Sequence, residues 1–310
     1  MLSWELDPAL SLNPRFPVQA PAEELAYVFC ANPAGGDEPE TICVVDVNPT
    51  SRTYSEVVSE IALRQREEQP SALGRERNTG HIAGRAASVF GMHAGEKIAP
   101  RIRMAHAPEH RYGFHSRGFS LYDLSSAVAI WYRDGAPGES APWASRKVIE
   151  IPAEPKSAAQ LPALLRPSGV VPPLITDFAL SLDDCFLYVA CWGTGQLKQF
   201  DVSDPLLPRE IASVCIGGIA TRARHPSQVR APGGGPCAVT LSRDGRRVYL
   251  TNSLSPVWDE QLYPDGLRGW MVKLDADPGG GITFDPNFFV DFGDLRPLQV
   301  RLPDQGLGIR

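Results

Sequence analysis

The chain has 310 residues and a net charge of −6, with 36 acidic and 30 basic side chains. Nucleic acids and anionic membranes bind through clustered Lys and Arg, so this charge balance argues against both as the main partner. The N-terminus does not resemble a secretory signal and no apolar stretch is long enough to span a membrane, so we expect a cytoplasmic protein.

In chain order, the composition predicts four regions. The first has little periodicity, the second carries short strands rich in Val, Ile and Tyr, the third has arginines among Gly, Ser and Asn, and the fourth is again strand-rich. We interpret them as an irregular lead-in (1–22), N-terminal blade strands (23–63), a loop or partly disordered linker (64–100) and propeller blades (101–310).

An internal repeat lies in the fourth region. Residues 179–190 (ALSLDDCFLYVA) align with residues 240–251 (TLSRDGRRVYLT). Each copy predicts a strand, an Asp-containing turn and a second strand with Tyr at the same place. A third strand and an acidic turn with Pro follow each copy. Repeats of this kind favour an all-β propeller over a two-sheet sandwich.

Longer segments carry a specific resemblance. Residues 174–205 (LITDFALSLDDCFLYVACWGTGQLKQFDVSDP), 233–254 (GGGPCAVTLSRDGRRVYLTNSL), 258–265 (WDEQLYPD) and 286–293 (PNFFVDFG) resemble the selenium-binding protein / methanethiol oxidase family. The resemblance implies a β-propeller, copper held by histidines, and oxidation of a small thiol, methanethiol, by O2 to formaldehyde, hydrogen sulfide and hydrogen peroxide.

The chain also departs from the family pattern. The resemblance implies seven blades, but the central ones are absent, so we expect an incomplete propeller with fewer than seven. The family's His-His-x-Gly-Trp-Asn segment is missing. Ser55 stands where animal members have a cysteine proposed to hold selenium, and Leu298 stands in the place of a C-terminal histidine.

Two residues remain as site candidates. His106, in the segment MAHAP, matches a family His-x-Pro segment and is a candidate copper ligand; the alternative is a loop histidine with an ordinary hydrogen bond. Cys191, beside Trp192 at a predicted strand end, is a candidate for binding selenium or a thiol; the alternative is a buried small side chain. Because a copper site needs several converging ligands, His106 alone does not make one.

Asp183, Asp184 and Asp244 occupy corresponding turns of the repeat, which accounts for them structurally rather than as catalytic carboxylates.

Two hypotheses for the function follow. The first is a methanethiol-oxidase-like enzyme acting on a small thiol. The second is a non-catalytic truncated propeller that acts as a binding scaffold. A propeller that cannot close exposes sheet edges, so we also expect self-association.

Overall fold

A computed structural model describes residues 22–33, 39–63, 101–106, 112–133, 142–228 and 230–303. The predicted lead-in up to residue 21 and the predicted linker at 64–100 therefore lie outside the described residues. The strands are β1 (Leu25–Ala31), β2 (Thr41–Asp46), β3 (Val57–Ala62), β4 (Ile102–Met104), β5 (Tyr112–Arg117), β6 (Ser126–Arg133), β7 (Trp143–Ile151), β8 (Glu154–Pro155), β9 (Val170–Val171), β10 (Ile175–Leu180), β11 (Phe186–Cys191), β12 (Gln196–Asp201), β13 (Arg209–Cys215), β14 (Ala238–Leu241), β15 (Arg247–Thr251), β16 (Gly269–Ala276), β17 (Ile282–Gly293) and β18 (Arg296–Arg301).

Four antiparallel sheets of four strands each make up the blades of the described part of the chain. The first blade has the strand order β18-β1-β2-β3, the second β4-β5-β6-β7, the third β10-β11-β12-β13 and the fourth β14-β15-β16-β17. The blades are propeller-like, which confirms the predicted all-β class.

The first blade joins the two ends of the described chain. Its strand β18 comes from the C-terminal part and pairs antiparallel with β1, with Val28 opposite Val300. Strand β18 also contacts β14, and β10 contacts both β14 and β4. The blades thus follow one another in the spatial order second, third, fourth, first, with β4, β10, β14 and β18 as their inner strands.

The predicted repeat is present in the third and fourth blades, down to individual hydrogen bonds. Tyr188 lies opposite Ala179, and Tyr249 lies opposite Thr240. In the third blade the Ser181 hydroxyl donates to Asp183 Oδ1 at 2.5 Å, and in the fourth the corresponding serine donates to Asp244 Oδ1 at 2.6 Å. Both aspartates therefore shape turns, as the repeat predicted.

Sequence patterns did not predict every element. Helix α1 (Pro256–Leu262) follows β15, begins with Pro at its first turn and buries Trp258. Pro is favoured at this position because its missing N–H would have no partner inside the helix. The proline-rich connector after β7 also contains the short pair β8 and β9. In the described part of the chain, no helix is long and apolar enough to cross a membrane.

Apolar side chains fill the space between neighbouring blades. Phe114 and Ile130 of the second blade pack with Phe178 and Leu187 of the third. A similar cluster joins the third blade to the fourth, and another, containing Phe288, joins the fourth to the first. Alternation along the strands makes this possible, because successive side chains point to opposite faces of a blade.

Trp192 links two blades through its indole. The side chain is fully buried, and its Nε1 donates to the carbonyl of Asn252 at 2.9 Å. Asn252 follows β15 of the fourth blade, whereas Trp192 follows β11 of the third. The connection is therefore both a packed contact and a hydrogen bond across the blade interface.

We predict that Trp192→Phe lowers the free energy of unfolding by about 1–3 kcal/mol, because it leaves a buried carbonyl without its donor and removes part of the ring. Urea denaturation measures the change. Trp143→Phe is the matched control, since Trp143 is 48% exposed and its replacement should cost less than about 0.5 kcal/mol. Equal effects of the two substitutions would contradict the role of Trp192 in linking the two blades.

The blades at the two ends of the row each expose an apolar face. On the second blade Ile102, Met104 and Trp143 are 52%, 46% and 48% exposed, and Trp131 lies 4.8 Å from Trp143 between ring centroids. On the first blade Ile61 is 48% exposed. These residues belong to none of the apolar clusters that hold the described blades together.

We therefore predict that the chain self-associates through the ends of the row, mainly through the second blade, because exposed apolar surface favours association. Size-exclusion chromatography with light scattering should give a mass above that of one chain. Trp143→Glu should shift the distribution towards monomer. Tyr122→Glu, which changes a fully exposed aromatic residue on a turn, should not. A parent chain that stays monomeric as concentration rises would refute the prediction.

Candidate functional site

The inner strands of the blades are joined by side-chain hydrogen bonds rather than by a continuous ladder. The backbone N–H of Val239 on β14 donates to Asp177 Oδ2 on β10 at 3.1 Å. Further along the row, the Thr240 hydroxyl donates to the Val300 carbonyl on β18 at 3.1 Å. Polar groups of three blades therefore converge here, where propellers commonly place their binding sites.

Asp177 is the centre of a charged cluster. Its Oδ1 lies 3.0 Å from Arg103 Nη2 and 3.5 Å from Arg101 Nε, both in or next to β4. Arg101 Nε also donates to the Thr176 carbonyl at 3.0 Å. The pKa of Arg301, on β18, is lowered by burial and by the charges of Arg103 and Arg101, while Asp177 acts in the opposite direction. Two guanidinium groups, those of Arg101 and Arg103, thus lie against this carboxylate.

His106 lies just beyond β4 and is held by the third blade. Its backbone N–H donates to Asp184 Oδ1 at 2.8 Å, and its ring Nδ1 lies 2.8 Å from the same oxygen. Asp184 is buried in the turn between β10 and β11. The histidine therefore makes the ordinary hydrogen bond that the alternative hypothesis described. A carboxylate on one ring nitrogen is also how proteins orient a metal-binding histidine.

A metal site requires further ligands near His106. Among the described residues, no group of three His, Cys, Asp or Glu side chains is close enough to hold a metal ion. The described part of the chain alone therefore does not fit a copper centre, for which several ligands must converge. The assignment of His106 as a copper ligand stays a prediction.

Cys191 is completely buried at the end of β11, in the cluster that joins the second and third blades. Burial is the main cause that raises the pKa of its thiol to about 12. Because the thiolate is the form that attacks electrophiles and binds soft metals, this position favours a packing role. Its role in binding selenium or a thiol stays a prediction, and the buried position of the thiol does not favour that role.

Ser55, at the site of the family's proposed selenium cysteine, has a structural task. Its backbone has a positive φ of 71°, and its Oγ accepts a hydrogen bond from the Phe289 N–H at 2.8 Å. The contact ties the β2–β3 connection of the first blade to β17 of the fourth. Leu298, where the family has a histidine, lies on inner strand β18.

Asp259 was not predicted as a functional residue, yet its carboxyl group is fully buried and its pKa is raised. It lies in α1, fully buried, and accepts a hydrogen bond from the Ser253 hydroxyl and one from the Leu254 N–H at 3.2 Å. Burial is the main cause that raises its pKa to about 7, although Arg296 lies 3.8 Å away and opposes the shift. The group thus titrates near neutral pH.

The charged cluster was also missed by sequence reasoning. Arg101 and Arg103 stand two residues apart, a spacing that places two side chains on the same side of an extended segment, although no strand was predicted there. That spacing was the available signal, but it does not reveal that Asp177, 74 positions from Arg103, pairs with both arginines. The contact between β4 and β10 creates that proximity.

Four-stranded antiparallel blades, with one blade shared between the two ends of the described chain and polar side chains on the inner strands, define a β-propeller protein. Among such proteins, the family model described as 56kDa selenium binding protein (SBP56) matches residues 83–306. The chain belongs to this family, which confirms the predicted resemblance.

Individual relatives support the same family membership. The chain is 36% identical over 216 residues to a methanethiol oxidase of Homo sapiens and 36% identical over 215 residues to selenium-binding protein 2 of Mus musculus, with 63% of this chain matched in each case. An X-ray structure of a hypothetical selenium-binding protein from Sulfolobus tokodaii matches with a TM-score of 0.81 and 29% identity, covering 96% of this chain and 97% of that one. The match covers only 42% of the length of these two curated relatives.

We predict that Asp259 makes the chain more stable at pH 5 than at pH 8. Its pKa in the folded protein lies above the ordinary value, so the folded state binds a proton more tightly than the unfolded chain does. Stability from this group is complete below the ordinary pKa of about 4 and is lost as pH rises through about 7.

The comparison with Asp259→Asn separates the contribution of this carboxyl group to stability from the contributions of the other titrating groups. The variant should be more stable than the parent at pH 8, by roughly 1–3 kcal/mol, and the two should converge towards pH 5. Urea denaturation at several pH values measures the difference. A constant gap between the two proteins across this range would contradict the raised pKa.

Proposed function

We propose that the chain has methanethiol-oxidase-like activity, converting methanethiol, O2 and water into formaldehyde, hydrogen sulfide and hydrogen peroxide. The observation that carries the proposal is the 36% identity, over 216 residues, to a protein named methanethiol oxidase. In this reaction the carbon of the thiol is oxidised, O2 is reduced to peroxide, and the oxygen of water enters the aldehyde.

Copper would supply the O2 chemistry, since imidazole ligands suit this metal. His106 is the residue that we propose as one ligand, and Asp184 would orient its ring through Nδ1. The described residues do not complete the ligand set, so the proposal requires ligands from outside the described part of the chain or from a partner.

A second candidate function is a non-catalytic binding scaffold. The observation that favours it is the same missing group of three ligands among the described residues, together with the complete burial of Cys191. Under this hypothesis the blades serve to present a surface, and the chain carries out no oxidation. The two functions make opposite predictions for metal content and for product formation.

All six cysteines are free thiols, including Cys30 and Cys43 on neighbouring strands. Free thiols are typical of a reducing compartment, which supports our proposal that the protein acts in the cytoplasm.

The test is metal analysis and a methanethiol assay on protein purified without chelators and incubated with copper. Thiol oxidation predicts near-stoichiometric copper and the formation of hydrogen sulfide and peroxide. His106→Ala should then lower copper occupancy and turnover at least tenfold, because sites need every ligand that their geometry assigns. The matched control is His115→Ala, which removes a half-buried imidazole from β5.

Absence of both copper and products would reject the enzyme and support the scaffold. Copper binding and turnover that are unchanged in His106→Ala would remove this residue from the ligand set while leaving the activity in place.

A further inference from the structure

We propose that His225 is a pH-sensitive latch, whose neutral ring fastens the β13–β14 connection to strand β17 and whose protonation in mildly acidic solution releases it. The connection runs from Ile216 to Cys237, between the outermost strand of the third blade and the inner strand of the fourth. His225 has no part in the proposed copper site, so the two proposals can be tested separately.

His225 is the point at which the middle of this connection is buried. Of residues 221–228, His225 alone is buried, and it is 1% exposed. Its ring contacts two phenyl rings of β17, with centroid separations of 5.0 Å to Phe284 and 5.2 Å to Phe289. Both phenylalanines also pack against the apolar cluster that joins the third and fourth blades. The imidazole therefore occupies an aromatic slot on the fourth blade.

Backbone and side-chain hydrogen bonds fix the connection near its two ends. At its start, the N–H groups of Ile216 and Ile219 donate to carbonyls of the β11–β12 turn, each at 2.9 Å. Towards its end, the carbonyl of Gly233 accepts a hydrogen bond from the indole of Trp270 at 2.7 Å. Residues 221–228 lie between these anchors, so they can leave β17 while both ends of the connection stay in place.

The hydrogen bonds of His225 show that the buried ring is neutral. The backbone N–H of Ser227 donates to Nδ1 at 3.2 Å, and the Ser227 hydroxyl lies 2.9 Å from the same nitrogen. Because an amide N–H can only donate, Nδ1 carries a lone pair and the proton of the neutral ring is on Nε2. Nε2 is buried and has no hydrogen-bond partner among the described residues. The slot thus fits an uncharged imidazole.

Protonation would disrupt this arrangement at both nitrogens. The hydroxyl of Ser227 can rotate and accept from a protonated Nδ1, but its backbone N–H cannot, so that donor would face a positive charge. At Nε2, a charged N–H would stay buried without an acceptor. The imidazolium regains solvation only if residues 221–228 move away from β17.

The groups around the ring favour its neutral form on balance. Burial has the largest influence and lowers the pKa of His225 below its ordinary value of 6.5. The phenyl faces attract a cation, and Asp285 on β17 also favours the charged form, although its carboxylate is already paired with Lys273 at 2.7 Å. Arg222 and Arg224, on the same segment as the ring, are cations and therefore favour the neutral form.

The pH dependence follows from the direction of this shift. The folded protein binds a proton at His225 less tightly than the opened segment does. The latch is therefore complete above pH 6.5 and weakens as the pH falls from that value through the lower pKa of the folded protein. Asp259 acts in the opposite direction, because its pKa is raised. Local opening in acid can thus be distinguished from a global change in stability.

Hydrogen–deuterium exchange of the whole chain at pH 5 and pH 8, corrected for the intrinsic effect of pH on exchange, measures the opening. We expect amide protection in residues 221–228 to fall about tenfold at pH 5. Strand β11, in the core of the third blade, is the internal reference and should keep its protection. Protection that falls equally in both segments would mean global unfolding and would overturn the proposal.

Two variants without a titrating group test the role of His225. His225→Phe fills the same aromatic slot, so protection in residues 221–228 should no longer differ between the two pH values. His225→Gln offers an amide oxygen to the N–H of Ser227, and it decides the outcome if the Phe variant does not fold.

His115→Phe is the matched control. It replaces a half-buried imidazole of β5 whose pKa is also lowered, chiefly by burial, and it should keep the tenfold loss of the parent. Equal protection at the two pH values in the parent, or a loss in acid that persists in the folded His225 variants, would also overturn the proposal.

Discussion

The pairing of β18 with β1 is the constraint on which the rest of the described structure depends. It places the last described strand of the chain inside the first blade, with Val300 opposite Val28. That pairing brings β18 against β14 and lets the Thr240 hydroxyl reach the Val300 carbonyl. Without it, the fourth blade would lose its apolar neighbour.

Because of the same pairing, this fold depends on contacts between residues that are far apart in the sequence. Most blades form from consecutive strands, so their pairing requires only short loops to close. The first blade instead requires residues more than two hundred positions apart to meet, as in the pairing of Val28 with Val300. Contacts of such sequence separation form slowly, because the chain must lose much conformational freedom before they stabilise it.

Sequence patterns predicted the blades well because their cause is local. The Asp-containing turns at Asp183 and Asp244, the period-2 alternation and the tyrosines at 188 and 249 all act over a few residues. Helix α1 was missed because its seven residues are too few to show a helical period.

The candidate site was predicted less completely, since it depends on which inner strands meet. His106 was singled out by resemblance, but its partner Asp184 belongs to another blade and was interpreted only as a turn residue. Asp259 and Arg301 gave no local signal of their environments. Burial and the approach of charges distant in sequence decide their properties, and a linear pattern does not contain either quantity.

The two copies of the repeat have diverged at one informative position. Gly245 adopts a positive φ of 70° in the fourth blade, and Asp184 adopts a positive φ of 58° at the equivalent place in the third. Glycine accepts this conformation freely, whereas aspartate does so at some cost. In the third blade, Asp184 adopts this less favourable backbone conformation, and its carboxylate binds His106 of the neighbouring blade. The same turn position thus connects two blades in one copy of the repeat and only reverses the chain in the other.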